Sequence, residues 1–174
     1  DGLDITEREP FRNANFTDKN ELDSYEFNSV KRAIDALADP EVVEMNLATM
    51  PGITNKALTS HLISTCEARA DAFYVVDGSR WGRSVANAVS DIKALDTNYA
   101  ATYYPWVKVI DTSNNKPTWV PPSVVLPGVI SFTDQVAHEW FAPAGLNRGG
   151  LGSVLEAKTR LTHTERDDLY EGRV

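Results

Sequence analysis

Ala72-Phe73-Tyr74-Val75-Val76-Asp77 is the stretch on which the fold turns. It is short, apolar and rich in β-formers, which is the pattern of a strand covered on both faces. Such strands belong to parallel sheets, whose neighbours are joined by helical crossovers. Helical spacing is therefore expected on either side of it.

On the N-terminal side, Asn55 to Ala70 places Leu58, Leu62, Ile63 and Cys66 on one face. That spacing predicts a helix, with Thr54 or Asn55 as its cap. Before it, Val42 to Met50 reads as a buried strand that ends in a Pro51-Gly52 turn. Earlier still, Phe27, Val30, Ala33, Ile34 and Leu37 predict a helix over 25–38. Asp39-Pro40 closes that helix, because a residue before proline avoids the helical region. Residues 1–23 are polar and aperiodic, and an irregular lead-in anchored by Phe11 and Phe16 is expected there.

On the C-terminal side, Ser84 to Leu95 predicts a helix with Val85, Ala88, Val89 and Ile92 inward. Tyr99 to Tyr104 and Trp106 to Ile110 read as strands around Pro105. The polar turn Asp111-Thr112-Ser113-Asn114-Asn115-Lys116-Pro117 then returns the chain as a hairpin over 106–120. Pro122 suits the first position of a helix of about ten residues, and Pro127 predicts a kink or an early end within it. Val154 to Leu161 alternates weakly, as a strand would. Thr162 with Glu165 three residues later is a capping box for a final helix that closes at Gly172. That ending suggests a piece of a longer polypeptide. The resulting expectation is an α/β layered sheet, with mainly parallel strands, helices on both faces and one β-hairpin, over a single domain 24–174.

Composition narrows the function. The 174 residues carry a formal charge of −8, which argues against a surface built to meet nucleic-acid phosphates. No apolar run approaches the roughly 20 residues that cross a bilayer. Cys66 is the one cysteine; an internal disulfide is impossible, and its helical position favours a buried thiol over a reactive one.

Asp77-Gly78-Ser79-Arg80-Trp81-Gly82-Arg83 lies between a strand and a helix, where small ligands often bind. It lacks the Gly-x-Gly-x-x-Gly fingerprint and the Gly-Lys-Ser/Thr of a phosphate loop, so a turn with two surface arginines is the better reading. His61, His138 and His163 come with no Gly-x-Ser-x-Gly elbow. Each reads as structural rather than catalytic. They and Cys66 are too scattered for metal-ligand spacing. No catalytic residue, cofactor or metal is expected. Tyr103, Tyr104, Trp106 and Trp119 read as core or hairpin packing, with a subunit surface as the alternative.

The segments Met50-Pro51-Gly52-Ile53-Thr54, Tyr74-Val75-Val76-Asp77, Tyr99 to Lys108, Trp119 to Ser123 and Ala142 to Leu151, in this order, resemble the tail sheath proteins of contractile phages. The ending, Leu161 to Gly172, resembles that family too, so the resemblance covers about residues 40–174. It implies the core portion of a myovirus tail sheath, an α/β domain called subtilisin-like for its shape alone. It further implies a structural, non-enzymatic subunit that polymerises as hexameric rings around the tail tube and contracts to drive genome injection. The implied partners are other sheath subunits, the tube protein, and baseplate and tail terminator proteins. Neither nucleic acid nor membrane is contacted directly, and the implied place is the virion tail, assembled in the host cytoplasm. Arg80, Arg83 and Arg148, each in a Gly-containing loop, are the candidates for meeting an acidic neighbouring subunit. The alternative reading is an α/β hydrolase or small-molecule-binding domain that shares these short segments.

Overall fold

The computed structural model describes residues 24–174, so the expected lead-in over 1–23 lies outside the described residues. In chain order the elements are α1 (Tyr25–Ala36), β1 (Leu47–Thr49), α2 (Lys56–Arg69), β2 (Phe73–Val76), α3 (Val85–Ile92), β3 (Ala100–Thr102), β4 (Val107–Asp111) and β5 (Lys116–Val120). A 3-10 turn (Pro122–Val124), α4 (Leu126–Val136), α5 (Gly145–Arg148), β6 (Val154–Ala157) and α6 (His163–Glu171) follow. A parallel sheet has the order β1-β2-β3, joined by α2 and α3 as parallel neighbours require. A second sheet has the order β5-β4-β6.

The contacts divide the chain into two compact units. The first takes the described residues up to Ala48, with Gly52–Tyr74 and Leu95–Ala100. Ser24 starts α1, its hydroxyl accepting from Phe27 N. Phe27 and Ile34 are the buried residues of that helix, which packs against α2. Asn55 is the cap of α2, since its Oδ1 accepts from Leu58 N at 3.1 Å. Leu58, Leu62 and Cys66 are buried below it, and burial pushes the Cys66 thiol pKa up. Arg69 donates to Leu37 O at 2.6 Å and Val43 O at 2.9 Å. Its Nε also reaches the Asp71 carboxylate at 2.8 Å.

Val42 to Met50 does not run as one strand; only Leu47–Thr49 is extended. Asp39 Oδ1 accepts from Glu41 N, and Asp39 O accepts from the amides of Val42 and Val43. Asp39-Pro40 thus bends the chain onward instead of merely closing α1, and Val42 is left exposed.

The second unit takes Thr49–Pro51, Val75–Ala94 and Ala101–Val174. Ser84 caps α3, and Val85, Ala88 and Ile92 are buried along it. Helix α6 packs against α3 and begins with the complete Thr162–Glu165 capping box. The approach is close at its end: a Cβ on Gly172 would stand 2.6 and 2.7 Å from the two Val89 methyls. The hairpin pairs Val107 with Val120 and Asp111 with Lys116, antiparallel. Its turn is organised by the Asp111 carboxylate, which accepts from Ser113 N, Ser113 Oγ and Asn114 Nδ2.

Two further expectations change here. The strands are not mainly parallel throughout, because β4 pairs antiparallel with β6 as well as with β5. The weak alternation of 154–161 is the trace of an edge strand, shortened to Val154–Ala157. Pro127 does not kink a helix. The chain breaks at Val125, and Pro127 sits in the first turn of α4, where a missing amide costs nothing.

Candidate functional site

Asp77 ends the β2 run and turns its carboxylate inward. Asp77 is 3% exposed and Ser123, in the 3-10 turn, is 1% exposed. Ser123 Oγ donates to Asp77 Oδ2 at 2.6 Å, and Ser123 N reaches Oδ1 at 3.4 Å. The carboxylate therefore acts as a cap for the 3-10 turn, supplied from another part of the chain. A serine this deeply buried, with its hydroxyl hydrogen committed to the Asp77 carboxylate, lacks the exposure that a nucleophile needs.

The histidines take other partners. His61 Nε2 lies 2.6 Å from Asp35 Oδ1 in the first unit. In the second unit His163 Nδ1 lies 2.9 Å from Asp167, and His138 stacks on Trp140 with ring centroids 5.3 Å apart. Among the described residues no group of three His, Cys, Asp or Glu side chains is placed to hold a metal ion. Among them, too, no helix is long and apolar enough to cross a membrane.

Aromatic side chains cluster in the second unit. Trp81 meets Trp106 edge-on at 5.3 Å and Trp119 at 5.3 Å. Lys158 Nζ lies 4.9 Å from the centre of the Trp81 ring, and Lys108 Nζ 4.6 Å from that of Trp119. Trp106 Nε1 donates to Ser79 O at 3.3 Å, so its indole is held by the Trp81 ring contact and by its N–H. Tyr104 donates to Arg83 O at 2.9 Å. Trp106, Trp119 and Tyr104 are half-buried, which fits hairpin packing; Tyr103 is exposed.

The three candidate arginines are not drawn into one cluster. Arg83 forms a two-pronged pair with Asp91, at 2.8 and 2.7 Å, within its own unit. Arg80 is exposed in the same loop. Arg148 ends α5, donates to Ala142 O at 2.7 Å and lies 4.1 Å from the centre of the Phe141 ring. Phe141 in turn meets Trp140 at 5.2 Å. Gly145, at φ +80°, allows the sharp entry into α5 that brings Arg148 back over this ring. The surface stays open: Trp140 is 77% exposed and Leu146 100% exposed.

The family model for the phage tail sheath protein central domain matches residues 28–174. The chain belongs to this family. Among curated sheath relatives, the tail sheath protein of Vibrio phage KVP40 is 28% identical over an alignment of 166 positions that covers 79% of this chain and 25% of that protein. The tail sheath protein of Enterobacteria phage T4 is 24% identical over an alignment of 162 positions that covers 80% of this chain and 25% of its own length. The chain thus spans about a quarter of the curated sheath proteins it matches. Among solved structures, the contracted helical sheath of the anti-feeding prophage aligns over 76% of this chain and 36% of its own, at 23% identity and a TM-score of 0.48.

Membership gives the sheath chain its context, but two features were not singled out from sequence. The Asp77–Ser123 bond spans 46 residues, and its one local signal was an aspartate ending an apolar strand. The Trp140–Phe141–Leu146 surface carried a stronger signal: large apolar residues set among polar and glycine residues with no helical or strand period.

Proposed function

We propose that this chain is the core domain, residues 24–174, of a structural subunit that polymerises as rings around a phage tail tube and contracts to drive genome injection. The observation that carries the reading is the match of the sheath central-domain model to residues 28–174. Its partners in this reading are neighbouring sheath subunits, the tube protein, and baseplate and terminator proteins. It works in the virion tail after assembly in the host cytoplasm, without direct contact to nucleic acid or membrane. The subtilisin-like layering implied by the family resemblance belongs to the same proposal.

The role needs no bond chemistry. If the extended polymer is a stored higher-energy packing, contraction exchanges one set of subunit contacts for another while each domain stays folded. The buried Ser123 and the occupied histidines support this non-enzymatic reading. Arg80, Arg83 and Arg148 are proposed as interface cations. For Arg83 a neighbouring acid must share or displace Asp91.

Electron microscopy of the full-length protein that contains this chain tests the reading. Tubes or stacked rings are expected. Dispersed particles with peptide, ester or nucleotide turnover that one Ser or His substitution abolishes would overturn it.

A further inference from the structure

We propose that the surface of His138, Trp140, Phe141, Leu146 and Arg148 docks a second copy of this chain, on the acidic outer face of that copy's α6. The inference rests on the sheath reading and adds to it the two surfaces that meet.

A single exposed leucine is ordinary. Here the exposed groups are joined: His138 stacks on Trp140 at an interplanar angle of 13°, Trp140 meets Phe141, and Arg148 covers Phe141. The bond from Arg148 to Ala142 O fixes the guanidinium on the ring. Much of the ordering that docking would demand is therefore complete before a partner arrives. Exposed aromatic rings with a half-buried arginine over them are what interaction hot spots are made of.

Charge selects the occupant. Arg148 is the only lysine or arginine in the segment 136–150, and Glu139 its only acid, in a chain whose net charge is −8. Its remaining N–H donors suit a carboxylate with an aromatic neighbour. Helix α6 offers that pair. It buries Leu169 alone, and Asp167, Tyr170 and Glu171, spaced three and four apart, share its outer face. Tyr170 is 83% exposed, and Asp167 and Glu171 are exposed beside it. Tyr170 would lie on the apolar part of the surface, which the exposed Trp140 and Leu146 supply, with Glu171 on Arg148. The two surfaces sit on different elements of one chain, so the contact is heterologous. Each copy keeps one free surface of each kind, and the contact propagates into a ring or helix instead of closing as a pair.

The test uses single-cysteine exchanges in the 174-residue chain. Cys66 is buried and its raised thiol pKa keeps it out of the reaction. Variants L146C and Y170C, both at exposed positions, are mixed in equal amounts at high concentration and mildly oxidised. The expected product is the mixed L146C–Y170C disulfide, in excess over both same-site dimers. Adding E171R to the Y170C partner should lower its yield by about tenfold, and adding R148E to the L146C partner should restore it. No crosslink, a predominance of same-site dimers, or a yield indifferent to charge reversal would overturn the proposal. The sheath reading fails separately: full-length protein carrying L146D that still forms normal tubes removes this contact alone, whereas unaltered full-length protein that forms no tubes removes the sheath reading.

Discussion

Replacing Ser123 by alanine is the sharpest probe of how the second unit is held together. The substitution removes one hydroxyl from a site 1% exposed and adds no bulk. It deletes a 2.6 Å bond to a buried carboxylate and leaves only the longer 3.4 Å amide contact from the same residue. A hydrogen bond to a charged acceptor contributes roughly 1.5–3 kcal/mol, and the carboxylate left behind loses part of its solvation. The expected cost is about 2 kcal/mol, or roughly 30-fold in the ratio of folded to unfolded chain. Urea denaturation of the 174-residue protein, followed by circular dichroism, measures it. An Asp77→Ala variant and the double variant complete a cycle. The double variant should cost less than the sum of the singles, because the second substitution breaks a bond already lost. A cost below about 0.5 kcal/mol for Ser123→Ala, or strict additivity in the cycle, would refute the reasoning.

Two more outcomes follow from the packing and charges. Gly172→Ala places a methyl within 2.7 Å of the stiff Val89 side chain and should destabilise the chain by about 1–3 kcal/mol; adding Val89→Ala should recover part of the loss, and denaturant midpoints report both. The His61 hydrogen bond holds the Asp35 carboxyl below its ordinary pKa of 3.8, with Lys31 assisting. A depressed acid stabilises the fold above its unfolded pKa and loses that contribution as pH falls through the lower folded value. Asp35→Asn should therefore lower stability near neutral pH and flatten the stability profile below about pH 4, as acid titration of the fold would show.

Much of the architecture was legible because local physics specified it. The Phe73–Val76 strand announced itself by composition, and Thr162 with Glu165 by a motif whose two hydrogen bonds are both made. The hairpin was legible from its turn residues, since Asp111 acts within three positions of itself. What failed was decided at a distance or by the backbone. Val42 and Val43 have strand-forming side chains, yet Asp39 O captures their amides first. Strand β6 pairs with β4 across more than forty residues, a partnership that no local pattern encodes. For the candidate site, Arg83 was legible as a loop cation, whereas Arg148, expected in a loop, ends α5. Their intramolecular partners, Asp91 and the Phe141 ring, were not legible, because i+8 and ring-face contacts have no sequence period.

The placement of the tryptophans gives the chain a built-in optical reporter. Three of its four tryptophans, Trp81, Trp106 and Trp119, share one cluster in which energy can pass between rings 5.3 Å apart, with lysine ammonium groups over their faces. The fourth, Trp140, lies outside that cluster, between His138 and Phe141 on the open surface. Emission should accordingly separate into two populations. Trp140, at 77% exposure, would contribute the more red-shifted and more readily iodide-quenched part, and the cluster the less exposed part. Covering the Trp140 surface would shift only the first to the blue, whereas unfolding the hairpin would change the second. One cuvette thus distinguishes a subunit that has docked from one that has lost its fold.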